Sequence, residues 1–176
     1  MTVALRAVTL DDLTTLRLLN EAAVPHVNSL GLAEFDWFRV HAPYFRVAEQ
    51  AGNIVGFLTA LTPELSYASP NFGWFQAHRE RFVYIDRIIV AEAARGSGVG
   101  RRLYQDLAEF AAPSADLLAC EVNIRPPNPG SILFHERMGF REVGRQETEG
   151  GKKEVVLMER ELSAPDAVRS AQGLER

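Results

Sequence analysis

Three glycines alternate with other residues in the segment Arg95–Gly100, which lies between a β-like run and a helix-like run. At a helix N-terminus, backbone N–H groups and a macrodipole of about half a positive charge favour bound phosphate. Glycine also lets a phosphate approach the backbone because it has no Cβ. A P-loop would continue with Lys-Ser/Thr and a dinucleotide fingerprint would have glycine at 101, whereas Arg101-Arg102 follows here. The segment therefore predicts a pyrophosphate cradle of another kind.

A second chemical candidate is the carboxylate in the strand-like run Leu117–Asn123. Alternation along a strand would place Glu121 on a largely apolar face, where an ionised carboxylate is costly to bury. Two interpretations remain open: a general base, or a structural ion pair with an arginine such as Arg87 or Arg125. Asp86, on another strand-like run, is the second candidate for a base.

The elements that must position these residues follow from hydrophobic periodicity and turn residues. We predict strands near residues 3–8, 44–49, 54–61, 82–90, 117–123, 140–146 and 153–161, and four main helices near 10–23, 32–40, 98–112 and 131–137. The turn at Ala51-Gly52-Asn53 predicts a tight hairpin, and residues 62–80 are predicted to form a long irregular connection. The order predicts a mixed α/β domain over residues 1–162, with a largely antiparallel sheet of about seven strands, and a polar tail at 163–176.

The composition of the 176 residues, 47% hydrophobic and 24% charged, is typical of one globular protein. A formal net charge of −4 argues against a nucleic-acid partner. The single cysteine, Cys120, cannot form an internal disulfide, which favours a reducing, cytoplasmic location. No apolar run approaches the roughly 20 residues of a membrane span. We expect no metal either, because no second histidine or cysteine lies at ligand spacing from His26.

Two motifs resemble those of the Gcn5-related N-acetyltransferases (GNAT). The spacing Arg95-x-x-Gly98-x-Gly100 is similar to the family signature Arg/Gln-x-x-Gly-x-Gly/Ala. A later family segment reads Asn-x-x-Ala-x-x-x-Tyr-x-x-x-Gly-Phe, and its five defined positions are occupied here by Asn128, Ser131, His135, Gly139 and Phe140. The order of elements also resembles that of the family from about residue 3 to residue 162.

This resemblance implies that the cofactor is acetyl-CoA (coenzyme A). The pantetheine arm would pair with the backbone of Ile88, Ile89 and Val90, with the Val90 N–H directed at the thioester carbonyl. The pyrophosphate would contact Arg95, Gly96, Ser97, Gly98, Val99, Gly100 and Arg101. Asn128 would bind the pantetheine or its surroundings, and the parallel strands at about 82–90 and 117–123 would splay apart to form a slot for the thioester.

The implied reaction is acetyl transfer to a primary amine by direct attack in a ternary complex. It requires a base, because an amine of this kind is mostly protonated near pH 7. Glu121 resembles the catalytic glutamate of the branch that acetylates the N-terminal alanine of ribosomal proteins, and Tyr84 replaces the glutamate base of the histone acetyltransferases. His135 stands where the family has a tyrosine acid. It would act as an imidazolium or through a neutral N–H, and a packed or capping histidine is the alternative.

The amine acceptor is expected at the first helix–loop–helix and at the connection 62–80. The candidate substrate residues are Glu21, His26, Asn28, Tyr67, Asn71, Trp74 and Asn123. A carboxylate with an aromatic rim can hold a cationic amine, although loop aromatics also anchor loops to a core. The alternatives to this enzyme are a non-catalytic acyl-CoA sensor, which the missing tyrosine favours, and an acyltransferase with another donor or acceptor. A homodimer is a further expectation from the resemblance.

Overall fold

The computed structural model describes residues 2–163. Met1 and residues 164–176 lie outside that range, and with them all but Ser163 of the predicted polar tail. The strands are β1 (Ala4–Ala7), β2 (Tyr44–Gln50), β3 (Asn53–Leu61), β4 (Phe82–Val90), β5 (Leu117–Arg125), β6 (Arg141–Thr148) and β7 (Lys153–Glu161). The α-helices are α1 (Leu13–Glu21), α2 (Leu32–His41), α3 (Pro70–His78), α4 (Val99–Ala111) and α5 (Pro129–Arg137).

The sheet of the described residues has seven strands in the order β1-β2-β3-β4-β5-β7-β6. The pairings β1–β2, β2–β3, β5–β7 and β6–β7 are antiparallel. Strands β4 and β5 run parallel, with Phe82 opposite Leu117 and Tyr84 opposite Ala119. The predicted mixed, largely antiparallel sheet with one parallel pair is confirmed. That the pair splays apart stays a prediction.

The chain forms two compact units, and each unit has its own hydrophobic core. Among the described residues, the first unit comprises residues 2–61 and Asp86–Leu107, and the second comprises Thr62–Ile85 and residues 108–163. In the first unit, Phe35 of α2 and Phe57 of β3 are buried and meet edge to face at 5.8 Å between ring centroids. In the second unit, Phe72 of α3 packs against Tyr84 of β4 at 5.2 Å. The single domain predicted for residues 1–162 stays a prediction.

The connection 62–80 contains a helix that periodicity missed, so the described chain has five α-helices rather than the four predicted. Ser69 caps α3 by accepting a hydrogen bond from the Phe72 N–H at 3.3 Å, and Pro70 occupies the first helical turn. Phe72 and Phe75 are buried, three residues apart on one face. The other positions of this nine-residue helix carry no matching polar stripe, which explains why the segment resembled an irregular loop.

Local turn chemistry agrees with the sequence at two sites. Ala51 and Gly52 both have positive φ, 49° and 77°, as the tight turn between β2 and β3 requires. Gly139 ends α5 with φ of 90°, the left-handed conformation expected of a residue just past a helix. The α5 helix begins at Pro129, earlier than the predicted Ser131, because Asn128 caps it.

Three further properties concern the helices, the clusters of polar side chains and the cysteine. Over residues 2–163, no helix combines the length and apolar character needed to cross a membrane. Within the same range, no group of three or more His, Cys, Asp or Glu side chains is arranged to hold a metal ion. Cys120 is a buried free thiol, and burial raises its pKa, which keeps it protonated and unreactive.

Candidate active site

The glycine segment forms an exposed turn that opens α4, all within the first unit. After β4, a short 3-10 turn at Glu92–Ala94 leads into Gly96 and Gly98, whose φ values are 76° and 90°. Val99 is only 1% exposed and anchors the start of α4 in the core. The Arg102 N–H donates to the Gly98 carbonyl at 3.0 Å, which closes the first helical turn. The N–H groups from Gly98 through Arg101 precede that bond, so they have no acceptor within the helix.

The surroundings of this turn fit a diphosphate. Residues from Arg95 to Gly98 are exposed, and a Cβ added at Gly96 or Gly98 would meet no heavy atom within 4 Å in the described part of the chain. The glycines are therefore needed for their backbone conformation, and the space before them is open. Arg95, Arg101 and Arg102 are exposed cations beside the helix N-terminus, where the macrodipole adds to their attraction for an anion.

The end of β4 is held against β3 by a close backbone approach that the sequence analysis missed. A Cβ on Gly56 would lie 2.7 Å from the Ile89 carbonyl oxygen and 3.4 Å from Val99 Cγ1. The Ala91 N–H donates to the Val55 carbonyl at 2.8 Å. Gly56 thus supports the backbone of Ile88, Ile89 and Val90, the three residues predicted to pair with pantetheine. A glycine inside a strand pattern was the available signal.

Asp86 lies in a buried ion pair with Arg87. Their Oδ2 and Nε atoms are 2.9 Å apart, and each side chain is 7% exposed. Arg87 Nη1 also donates to Asn20 Oδ1 at 2.7 Å, and Asn20 Nδ2 donates to the Asn28 carbonyl at 3.0 Å. Arg87 therefore ties β4 to α1 and to the loop before α2, a role that sequence reasoning did not assign to it.

Three predicted substrate residues lie at the end of α1 and in the loop that follows it. Glu21 accepts a hydrogen bond from Ser29 Oγ at 2.7 Å, and this bond is the main cause that lowers the pKa of Glu21. The side chains of His26 and Asn28 are exposed. This part of the first unit presents an ionised carboxylate and polar groups to solvent, as acceptor binding would need.

Glu121 has a specific partner in the second unit. The Tyr84 hydroxyl donates to Glu121 Oε2 at 2.5 Å. Of the arginines considered as ion-pair partners, Arg87 pairs with Asp86, and Arg125 pairs with Glu147 at 2.9 Å and with a further glutamate of β7. The alternative of a structural ion pair for Glu121 stays a prediction.

His135 is 3% exposed and lies on α5 of the second unit. Its Nδ1 is 2.7 Å from the Ser131 carbonyl, one helical turn earlier, so Nδ1 carries the proton and donates. The Phe134 and Phe140 rings meet the imidazole edge to face, each at 5.4 Å. Burial lowers the pKa of His135 below its usual 6.5. The side chain is therefore neutral near pH 7.

Two predicted asparagines lie where β5 leads into α5. The Asn128 side chain accepts a hydrogen bond from the Ser131 N–H at 3.3 Å and so caps α5. The Asn128 N–H donates to the Asn123 carbonyl at 3.2 Å, which closes the turn between the strand and the helix. Asn123 itself lies opposite Val155 of β7. Both side chains are half-buried, so each keeps some contact with solvent.

The predicted residues of the connection 62–80 contact the rest of the second unit. Asn71 Oδ1 accepts from Gln146 Nε2 at 2.9 Å. The Trp74 ring stacks on His78 at 4.1 Å and covers Gly144, where an added Cβ would be 3.3 Å from the ring. Tyr67 meets Phe72 edge to face at 5.9 Å. The contacts of Asn71 and Trp74 hold α3 against β6. For Trp74, this is the kind of contact expected of an aromatic residue that anchors its segment to a core.

Comparison with known proteins gives consistent matches. Residues 12–140 match the family model described as "Acetyltransferase (GNAT) family". The L-2,4-diaminobutyric acid acetyltransferase of Nocardia farcinica (strain IFM 10152) is 30% identical over 141 residues, which are 80% of this chain but only 65% of that relative. The solved structure of Ard1 from Thermoplasma volcanium has a TM-score of 0.76 at 17% identity, over 93% of this chain and 99% of that one. The structure of yncA from Salmonella typhimurium, with its cofactor acetyl-CoA, has a TM-score of 0.69 at 18% identity, over 93% and 96%.

Proposed function

The chain belongs to the GNAT acetyltransferase family, whose cofactor is acetyl-CoA, and from this premise we propose that it acetylates a primary amine by direct attack in a ternary complex. The observation that carries the proposal is the turn Arg95–Gly100, with its positive-φ glycines, its N–H groups that precede the first hydrogen bond of the helix, and its exposed arginines. This turn fits the diphosphate of coenzyme A in charge and in open space. When bound, acetyl-CoA supplies an activated thioester carbonyl for the amine to attack.

For the base, the structure favours Glu121 over Asp86. An amine with a pKa near 10.4 is neutral in only about one molecule in a thousand near pH 7, so a positioned base contributes roughly 10²- to 10⁴-fold in rate. Asp86 lies 2.9 Å from the Arg87 guanidinium in a buried ion pair, and withdrawing this carboxylate from the pair would leave the buried guanidinium uncompensated. Glu121 is half-buried, and its Oε2 accepts a hydrogen bond from the Tyr84 hydroxyl. We therefore assign proton uptake to Glu121.

For His135, we propose a role as a neutral imidazole. Burial lowers its pKa, and its Nδ1 proton is used in the bond to the Ser131 carbonyl. The imidazolium form considered for a general acid is thus disfavoured at neutral pH. This same observation favours the second candidate function, a non-catalytic acyl-CoA sensor, since the tyrosine acid of the family is absent at this position.

For the acceptor, we propose a small amine that meets the end of α1 and the loop between α1 and α2. Glu21 is ionised and exposed enough to attract an ammonium group, while Asn71 and Trp74 are held by β6 contacts. The relative from Nocardia farcinica is named for a small diamino acid, L-2,4-diaminobutyric acid, which agrees with a small cationic acceptor. A protein amine, another acyl donor, a homodimer and a cytoplasmic location stay predictions.

The test is release of free thiol from acetyl-CoA during a screen of amines. Small diamino acids, polyamines, other amino acids and peptides with free N-termini form the panel. Thiol release that depends on an amine supports the enzyme. Binding of acetyl-CoA without thiol release for any amine supports the sensor.

A further inference from the structure

The hydrogen bond between Tyr84 and Glu121 joins two strands and has no assigned role. We propose that Tyr84 is the positioning residue that fixes the Glu121 carboxylate in the orientation in which it accepts the amine proton. This inference rests on the proposed acetyltransferase function and names a second residue that its base requires. The 2.5 Å separation and the donor–acceptor types give a phenol O–H that donates to a carboxylate oxygen.

The strand register explains how the two side chains meet. Tyr84 lies opposite Ala119 in the parallel pair, and Glu121 is two residues further along β5, on the same face as Ala119. A diagonal neighbour on the adjacent strand is within reach of an aromatic side chain, and the hydrogen bond shows that the two side chains meet. Tyr84 therefore reaches forward along the sheet and holds Oε2 from the neighbouring strand.

The Tyr84 ring is itself held firmly. Its exposure is 0%, and the rings of Phe72 and Phe75, both from α3, lie 5.2 and 6.0 Å from it. Glu121 is half-buried and keeps contact with solvent. A rigid, buried donor thus restrains a carboxylate at the edge of the core, which is the arrangement that preorganises a base.

The arrangement is hard to explain by packing alone. Phenylalanine would fill the same space at 84, and an apolar residue at 121 would avoid the cost of a partly desolvated carboxylate. A carboxylate retained beside a tyrosine whose hydroxyl points at it indicates that the charge is used. Fixing its rotamer in advance removes an entropic cost from the approach of the amine.

The first experiment compares Tyr84→Phe with Tyr44→Phe in the full chain. Tyr44 is also buried and its hydroxyl donates to a carboxylate, Asp106 Oδ2, at 3.0 Å within the first unit. The free energy of a hydrogen bond to a charged group corresponds to a factor of about 10 to 100 in rate. We therefore expect Tyr84→Phe to lower kcat by that factor without changing KM for acetyl-CoA. Tyr44→Phe should change the melting temperature about as much as Tyr84→Phe does, and it should leave kcat unaltered.

A double-mutant cycle separates positioning from general stability. If Tyr84 acts through Glu121, Tyr84→Phe in a Glu121→Gln background should change kcat by less than twofold. Crystal structures give a readout independent of activity: Glu121 should adopt one rotamer in the wild type and more than one in Tyr84→Phe. Unchanged kcat in Tyr84→Phe, additive effects in the cycle, or an unchanged Glu121 rotamer would overturn the inference while the proposed function stands. A wild type that binds CoA but acetylates no amine would overturn the proposed function, and the positioning role with it.

Discussion

Replacing Gly56 with alanine perturbs the strand end that is predicted to pair with pantetheine, without touching the glycine turn itself. The new Cβ would lie 2.7 Å from the Ile89 carbonyl oxygen, 0.3 Å inside the 3.0 Å limit that real Cβ contacts respect, and also within 3.3 Å of Val90 Cα. Because both neighbours are backbone, β3 and β4 must move apart. Such overpacking costs about 1–3 kcal/mol of unfolding free energy. If the shift weakens about one backbone hydrogen bond to pantetheine, CoA affinity falls roughly 3- to 10-fold.

Calorimetric titration with CoA and thermal unfolding measure the two effects of Gly56→Ala. Gly73→Ala is the matched control, because Gly73 lies inside α3 and an added Cβ there would meet no heavy atom within 4 Å among residues 2–163. It should raise stability by about 0.5–1 kcal/mol, the usual gain of alanine over glycine in a helix, and leave CoA affinity unchanged. A folded Gly56→Ala variant with wild-type affinity for CoA would refute the placement of pantetheine along Ile88–Val90.

Three further predictions concern stability and pH. Thr59 has a buried hydroxyl without a hydrogen-bond partner in the described residues, so Thr59→Val should raise the unfolding free energy by about 1 kcal/mol in urea titrations, and a loss would show that the hydroxyl is satisfied. Arg87→Met leaves Asp86 buried without its cation and should lower the unfolding free energy by about 3–5 kcal/mol. Adding Asp86→Asn to this variant should recover part of the loss, and additive effects of the two substitutions would contradict the prediction. Burial lowers the pKa of His135 in the folded protein, so as the pH falls the imidazole takes up a proton in the unfolded chain before it does so in the folded one. The contribution of neutral His135 to the unfolding free energy is therefore complete above about pH 6.5 and is lost as the pH falls below that value. His135→Phe should remove this component of urea stability, and an equally steep acid loss in the variant would refute it.

The glycine turn and the hairpin at Ala51-Gly52 could be predicted because their information is local. Positive φ within a few residues is encoded by glycine and its neighbours, and the structure gives φ of 90° at Gly98 and 77° at Gly52. The parallel pairing of β4 with β5 was also within reach, since strong strand patterns flank one helix. Helix α3 could not be predicted in this way, because its aromatic residues face a core while its opposite side has no polar stripe.

Most features of the candidate site that the sequence did not predict are contacts between residues far apart in the chain. Arg87 and Asn20 are 67 positions apart, and no pattern near either one indicates that they meet. Tyr84 and Glu121 are 37 apart, and only the strand register brings the hydroxyl to the carboxylate. The state of His135 depends on burial by Phe140, so its motif position predicted a role and not its protonation.

Binding of the coenzyme A diphosphate by the N–H groups between Arg95 and Gly100 can be measured by calorimetry of CoA binding to the wild type and to Gly98→Asp. A carboxylate about 5 Å from a diphosphate charge costs about 3 kcal/mol at an effective dielectric constant near 20. We therefore predict binding of CoA by the wild type and a loss of about 100-fold in a Gly98→Asp variant that melts as a folded protein. Equal affinities in the two proteins, or no heat of binding for the wild type, would show that this turn does not bind the diphosphate.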